Sequence, residues 1–188
     1  MSEAKLKLSP VALDKADGKA KSLLEGAKAK TGFVPNLYAV MANAPALLDI
    51  YLKGVNDFRG ESGFSPAEQE VIFLGVSRAN DCHYCVAAHS MMAEKVAKVP
   101  AESVKALRAG KPLPDARLEA LNRFVRHMWE TRGNPTQAEL DAFRQAGFND
   151  RQILYIVLAM ALKTLSNYTN HLFATEVDNA FADYKLAS

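Results

Sequence analysis

Three features of the 188-residue sequence predict an all-α fold. Chain breakers cut it into helix-length pieces, no set of alternating strands is visible, and helix start signals recur. The strongest is Ser65-Pro66-Ala67-Glu68, with a capping hydroxyl, proline at the first helical position and glutamate at the third. Thr136 with Glu139 makes a second capping box, and Asn149 with Gln152 makes a third.

In chain order, the Ala-, Lys- and Leu-rich stretch 13–30 predicts a first helix, closed by the turn 31–36. A short helix follows over 37–42, and Pro45 opens the next, to about Phe58. The Ser65 signal predicts a helix to about Asn80, and another runs from near Cys82 to about Val96. Pro100 opens a short helix to Ala109, and 111–114 is a rigid connector. Leu118, Leu121, Val125 and Met128 mark a helix over 115–131, stopped by Gly133. The last helix is expected from Asp150 through Asn170, with an extension to Tyr184 in its longest form.

Gly63-Phe64-Ser65 and Gly147-Phe148-Asn149 open similar segments that lead to His89 and His171. Their offsets differ by two residues, a weak match to a duplicated helical hairpin. One domain is expected over 1–188, with the chemical motif within 63–95.

Hydrophobic residues make up 49% of the chain and charged residues 23%, a soluble globular profile. A net charge of +2 with no basic block leaves nucleic acid without an electrostatic footprint. The longest strongly apolar run, 153–162, is too short to span a bilayer, so no membrane partner is expected. Met1 to Leu13 lacks a signal-peptide core, so a cytoplasmic chain is expected. In that reducing compartment a cysteine pair points to catalysis or metal binding rather than to a structural staple.

The two cysteines are Cys82 and Cys85. On a helix starting near Cys82, turning about 100° per residue, Cys82, Cys85 and His89 share one face. Two sulfurs one turn apart can close a disulfide, and a helix N-terminus favours a thiolate. His89 lies one turn beyond Cys85 and is placed to take its proton. Cys82, nearer the helix start, is expected to be the more exposed, so Cys85 attacks and Cys82 resolves. Glu70 shares a face with Phe73, Leu74 and Ser77, which predicts burial and a raised carboxyl pKa. A proton relay Cys85, His89, Glu70 follows. A zinc site from Cys82, His83, Cys85 and His89 competes, but His83 lies off the shared face and His171 or Glu70 would have to help. A redox sensor and a thiol–disulfide oxidoreductase would use the same residues. His83 is expected at a rim or in solvent. His171, with Asn167 and Asn170, makes a polar patch suited to a pocket or a subunit contact. Trp129, Met128 and Phe124 are expected in the core or at an interface.

Glu70, Asn80, Cys82, Cys85 and His89, with Pro35-Asn36-Leu37-Tyr38 and Asn167-Tyr168-Thr169-Asn170-His171, resemble the AhpD-like branch of the carboxymuconolactone decarboxylase superfamily and its peroxidase-related members. The resemblance implies an AhpD-like helical fold, reduction of alkyl or hydrogen peroxides, and trimers or hexamers. It implies Glu70 as proton relay, Cys85 as peroxidatic thiol, Cys82 as resolving thiol and His89 as base. It also implies a dithiol reductant, in this family a lipoylated protein, and no bound cofactor. Where the best-known AhpD proteins carry histidine this chain has Tyr84, a hydrogen-bond donor, with His83 one position earlier. The decarboxylases that name the superfamily are similar in fold and lack the cysteine pair.

Overall fold

The computed structural model describes residues 5–186, and among them there are helices and no strands. Nine α-helices follow one another: α1 (Gly18–Thr31), α2 (Asn36–Met41), α3 (Pro45–Glu61), α4 (Pro66–Ala79), α5 (His83–Met91), α6 (Ala101–Ala109), α7 (Ala116–Glu130), α8 (Gln137–Gln145) and α9 (Asp150–Phe173). Short 3₁₀ turns cover Leu13–Lys15 and Asn179–Tyr184, and a π-helical turn at Met92–Val96 extends α5.

All three expected capping boxes form. Ser65 accepts from the Glu68 N–H, Thr136 from the Glu139 N–H and Asn149 from the Gln152 N–H, and each third residue reaches back to its cap. Each box occupies two N–H groups that the first helical turn cannot bond internally, so these helices begin where the sequence says.

Two boundaries differ from expectation. The stretch 13–30 is not one helix: a 3₁₀ turn at Leu13–Lys15 is separated from α1, whose N-cap is Asp17. Asp17 precedes Gly18, the first residue of α1, which takes φ +45 at the entry. The last helix stops at Phe173, where Ala174 turns left-handed, and the 3₁₀ turn that follows packs back against α5.

Helix α4 lies at the centre. Every residue from Glu68 to Ser77 is buried, because α5, α7 and α9 all pack on it. The outer helices bury one stripe each; on α7 it is Leu121, Phe124, Val125 and Met128. Phe124 and Met128 thus join the core as expected, while Trp129 is only half-buried against it. Helix α3 crosses α9 closely at Gly54, where a Cβ would stand 2.6 Å from Leu162 Cδ2. That approach places the end of α3, with Arg59, beside α4.

Candidate active site

The chain breaks between α4 and α5 at Asn80, Asp81 and Cys82. Asp81 adopts φ +50, a left-handed conformation that Asp tolerates better than most residues. The turn is tied by Cys82 N–H donating to the Ser77 carbonyl at 3.0 Å. Cys82 then becomes the N-cap of α5, its own carbonyl accepting from Val86 N–H at 2.9 Å. Cys85 follows on the first turn.

Both cysteines are free thiols and both are buried, at 1% and 2% exposure. The expectation of an exposed Cys82 is therefore corrected. A lone helix would leave its N-cap in solvent, but here the far end of α9 closes over it. Asn170 Nδ2 donates to Cys85 Sγ at 3.3 Å and stands 3.8 Å from Cys82 Sγ.

The two thiols respond oppositely to this setting. The hydrogen bond to Cys85 and then burial push the Cys82 thiol far above its ordinary value. Burial also opposes ionisation of Cys85. It is outweighed first by the hydrogen bond from Cys82 and then by the Lys163 charge, with His89 and Ser166 adding to them; together they hold the Cys85 thiol well below its usual range. The environment thus selects Cys85 as the thiolate, by hydrogen bonding and charge rather than by exposure.

Behind the sulfurs lies a buried ionic chain. His89 Nδ1 is 2.8 Å from Glu70 Oε2, and Arg59 binds the other Glu70 oxygen. Arg59 also donates to Gln69 Oε1 at 3.1 Å. The burial expected of Glu70 is observed, but the expected raised pKa is not. Burial does push it up, yet His89 and Arg59 outweigh burial and hold the carboxyl below its ordinary value. Burial, then the Lys163 charge, lower the His89 pKa, which favours the neutral imidazole. With an ionised carboxylate accepting at Nδ1, the proton of neutral His89 sits on Nδ1 and Nε2 is left as a base.

Tyr84 donates to Asp178 Oδ2 at 2.5 Å and accepts from Leu37 N–H at 3.4 Å. Asp178 also accepts from Asn36 N–H at 3.1 Å. Tyr84 thereby ties α5 to α2 and to the segment after α9. Burial, with Asp178 as hydrogen-bond acceptor, pushes its phenol well above the ordinary value, so it stays protonated. His83 is exposed, as expected. Among the described residues no group of three or more His, Cys, Asp or Glu is clustered to hold a metal ion.

Two hollows meet the cysteine pair from different directions. One, of about 370 Å³, is lined by Cys85 and His89 with a mainly apolar wall that includes Phe33, Leu37, Val55, Phe73 and Phe181. The other is a groove of about 660 Å³ lined by Cys82, His83, Asn80, Asn170 and His171. Tyr84 borders both. The expected patch of His171 and Asn170 thus lines a pocket, while Asn167 is wholly buried and accepts from Asn80 Nδ2 at 2.8 Å.

Residues 43–127 match the model of the carboxymuconolactone decarboxylase family. The fold also matches a crystal structure described as an alkylhydroperoxidase AhpD core, an uncharacterized peroxidase-related protein from Ralstonia eutropha JMP134. The TM-score is 0.82 at 21% identity, over 93% of each chain. A peroxidase-related protein from Silicibacter sp. TM1040 matches with TM-score 0.75 at 27% identity, over 96% of this chain and 97% of that one. Over residues 43–127 the chain resembles the carboxymuconolactone decarboxylase family, and its helical fold is that of AhpD-like proteins.

The chain also shares its fold with the debrominase Bmp8, in a cysteine-to-alanine form complexed with 2,3,4-tribromopyrrole. That likeness has TM-score 0.74 at 14% identity over 97% of both chains. No curated protein matches it.

The sequence did not point to Arg59, Lys163 or Ser166, and it placed Asn170 in a polar patch without tying it to the sulfurs. They reach the sulfurs and the carboxylate from α3 and α9, and no local pattern marks them.

Proposed function

We propose that this AhpD-like protein is a thiol peroxidase reducing organic hydroperoxides through Cys85 and Cys82. One observation carries the proposal: of the two sulfurs, the one favoured as thiolate is also the one that opens, with His89, onto the apolar hollow. The Cys85 thiolate attacks the terminal oxygen of the hydroperoxide. The O–O bond breaks, and the alkoxide takes the proton that His89 removed from the thiol, leaving as an alcohol. Cys85 is now a sulfenic acid. The Cys82 sulfur attacks it, forming the disulfide and releasing water. A dithiol then opens the disulfide by exchange, its thiolate attacking one sulfur and its second thiol releasing the protein in the dithiol state. Glu70 orients His89, and Arg59 keeps that carboxylate ionised.

The groove at Cys82 is the proposed path for the reductant. A dihydrolipoyl group on a partner protein suits it, because a long slender arm reaches a buried sulfur where a folded domain does not. Such a cycle needs a reducing compartment, and the cytoplasm supplies one. No described helix is long and apolar enough to cross a membrane. Self-association into a trimer or hexamer is proposed through α9, whose outer face leaves Leu154, Val157, Tyr168 and Leu172 about half or more exposed.

The deciding experiment follows consumption of cumene hydroperoxide with dihydrolipoamide as reductant, alongside thiol counting. The wild-type chain should turn over and lose two thiols on oxidation. Cys85→Ser should fall to the buffer rate, whereas Cys82→Ser should react once and stop. Full turnover by Cys85→Ser removes the assignment. Reversible oxidation without peroxide turnover replaces it with a redox sensor, and faster reaction with protein disulfides than with peroxide replaces it with a thiol–disulfide oxidoreductase.

A further inference from the structure

Helix α9 carries an unusual buried face. Lys163, Ser166, Asn167 and Asn170 lie at i, i+3, i+4 and i+7, so they form one stripe, and none is more than 4% exposed. The Asn170 end of this stripe touches the Cys85 sulfur. At the other end Lys163 Nζ is buried and has no hydrogen-bond partner. It stands 5.6 Å from the centre of the Phe73 ring, whose own centre is 5.1 Å from that of His89.

A buried ammonium with no anion is costly, by several kcal/mol per ion in effective terms. The buried carboxylates are already engaged: Glu70 by His89 and Arg59, Glu68 by Arg117, and Asp178 by Tyr84 and Asn36. From α3, Arg59 is a second cation over the same Phe73 ring, at 5.2 Å. The phenols of Tyr51 and Tyr38 are pushed up, chiefly by burial, and stay neutral. From α5 the groups left are His89, Cys82 and Cys85.

We propose that Lys163 is the buried counter-cation of the Cys85 thiolate, a positioning residue that acts through charge without a hydrogen bond to the sulfur. The same charge helps hold His89 neutral, so one ammonium favours both the ionised nucleophile and the unprotonated base. Lys163 does not line the apolar hollow that Cys85 opens onto, so it acts on the thiol rather than on an incoming molecule. The proposal rests on Cys85 being the nucleophile, but its test reads thiol ionisation with no peroxide present. Failure of peroxidase activity and failure of the ion pair are therefore separate results.

The test uses full-length Cys82→Ser protein, in which Cys85 is the remaining thiol. Its thiolate is titrated by ultraviolet absorbance and by the pH dependence of alkylation. Adding Lys163→Met should move the midpoint up by about one pH unit or more, roughly a tenfold loss of thiolate below it. Lys163→Arg, which keeps the charge, should restore most of the shift. A folded Lys163→Met protein with an unmoved midpoint overturns the proposal. Should Lys163→Met not fold, the side-chain NMR resonance of Lys163 is followed in Cys82→Ser protein instead. It should shift at the Cys85 midpoint and lose that step when Cys85→Ala is added; no step at that midpoint overturns the proposal equally.

Discussion

The α4–α5 arm and helix α9 begin alike and then part. Each is entered through a glycine with positive φ, Gly63 at +73 and Gly147 at +88, then a phenylalanine and a capping box. The two entrances pack together, with the Phe64 and Phe148 rings 5.9 Å apart and Gln152 Nε2 donating to the Gly63 carbonyl at 3.1 Å. The arm then breaks at Asn80–Cys82, whereas α9 runs on for 24 residues. The break creates a second helix start and places a cysteine there. The unbroken helix supplies the amide and the ammonium that press on those sulfurs. The two thiols sit where the ladder of backbone bonds is interrupted, and the groups that surround them come in part from the unbroken neighbour.

Glu70→Gln attacks the arm most severely. It leaves Arg59 and His89 without their shared carboxylate, and breaking a buried ion pair costs about 3 kcal/mol or more. Denaturant unfolding should show this at neutral pH. The sign with pH follows from the lowered folded pKa. The stability contributed by Glu70 is full above the unfolded carboxyl value and is lost as pH falls through the folded one. The gap between wild type and Glu70→Gln should therefore narrow in acid; a constant gap would show that the carboxylate is not ionised in the folded chain.

Gly54→Val tests the scaffold side. The new side chain meets Leu162 and should cost about 2 kcal/mol by overpacking. Cys85 alkylation in the folded fraction should change less than stability does, because neither Gly54 nor Leu162 lines the hollow at Cys85. Asn170→Ala removes the amide donor to Cys85 and should lower thiolate reactivity by about 1 kcal/mol, roughly fivefold. An unchanged alkylation rate would mean that the sulfur does not use the α9 amide. The smallest effect is expected for Asp81→Gly. Glycine relaxes the positive φ but loosens the unfolded chain, and the two offset to within about 1 kcal/mol by thermal unfolding.

The contrast between arm and scaffold also explains what could be read from the chain alone. Capping boxes are local, so the starts of α4, α8 and α9 were legible to the residue. The shared face of Cys82, Cys85 and His89 and the burial of Glu70 followed from helical periodicity. The break before α1 was announced by Asp17-Gly18 but lost in a stretch otherwise rich in helix formers. The exposure of Cys82 and the ionisation of Glu70 were misjudged for a single reason. Packing decides both: Asn170, 88 positions away, closes over Cys82, and His89 and then Arg59, from other helices, hold Glu70 ionised.

The placement of the apolar hollow at one sulfur and the polar groove at its neighbour has a consequence for traffic. In the proposed cycle the peroxide and the dithiol would come to the sulfurs from different sides, so the alcohol formed at Cys85 need not leave by the groove that admits the reductant. Crowding one entrance leaves the other clear, and the pair can be served from both sides without a queue.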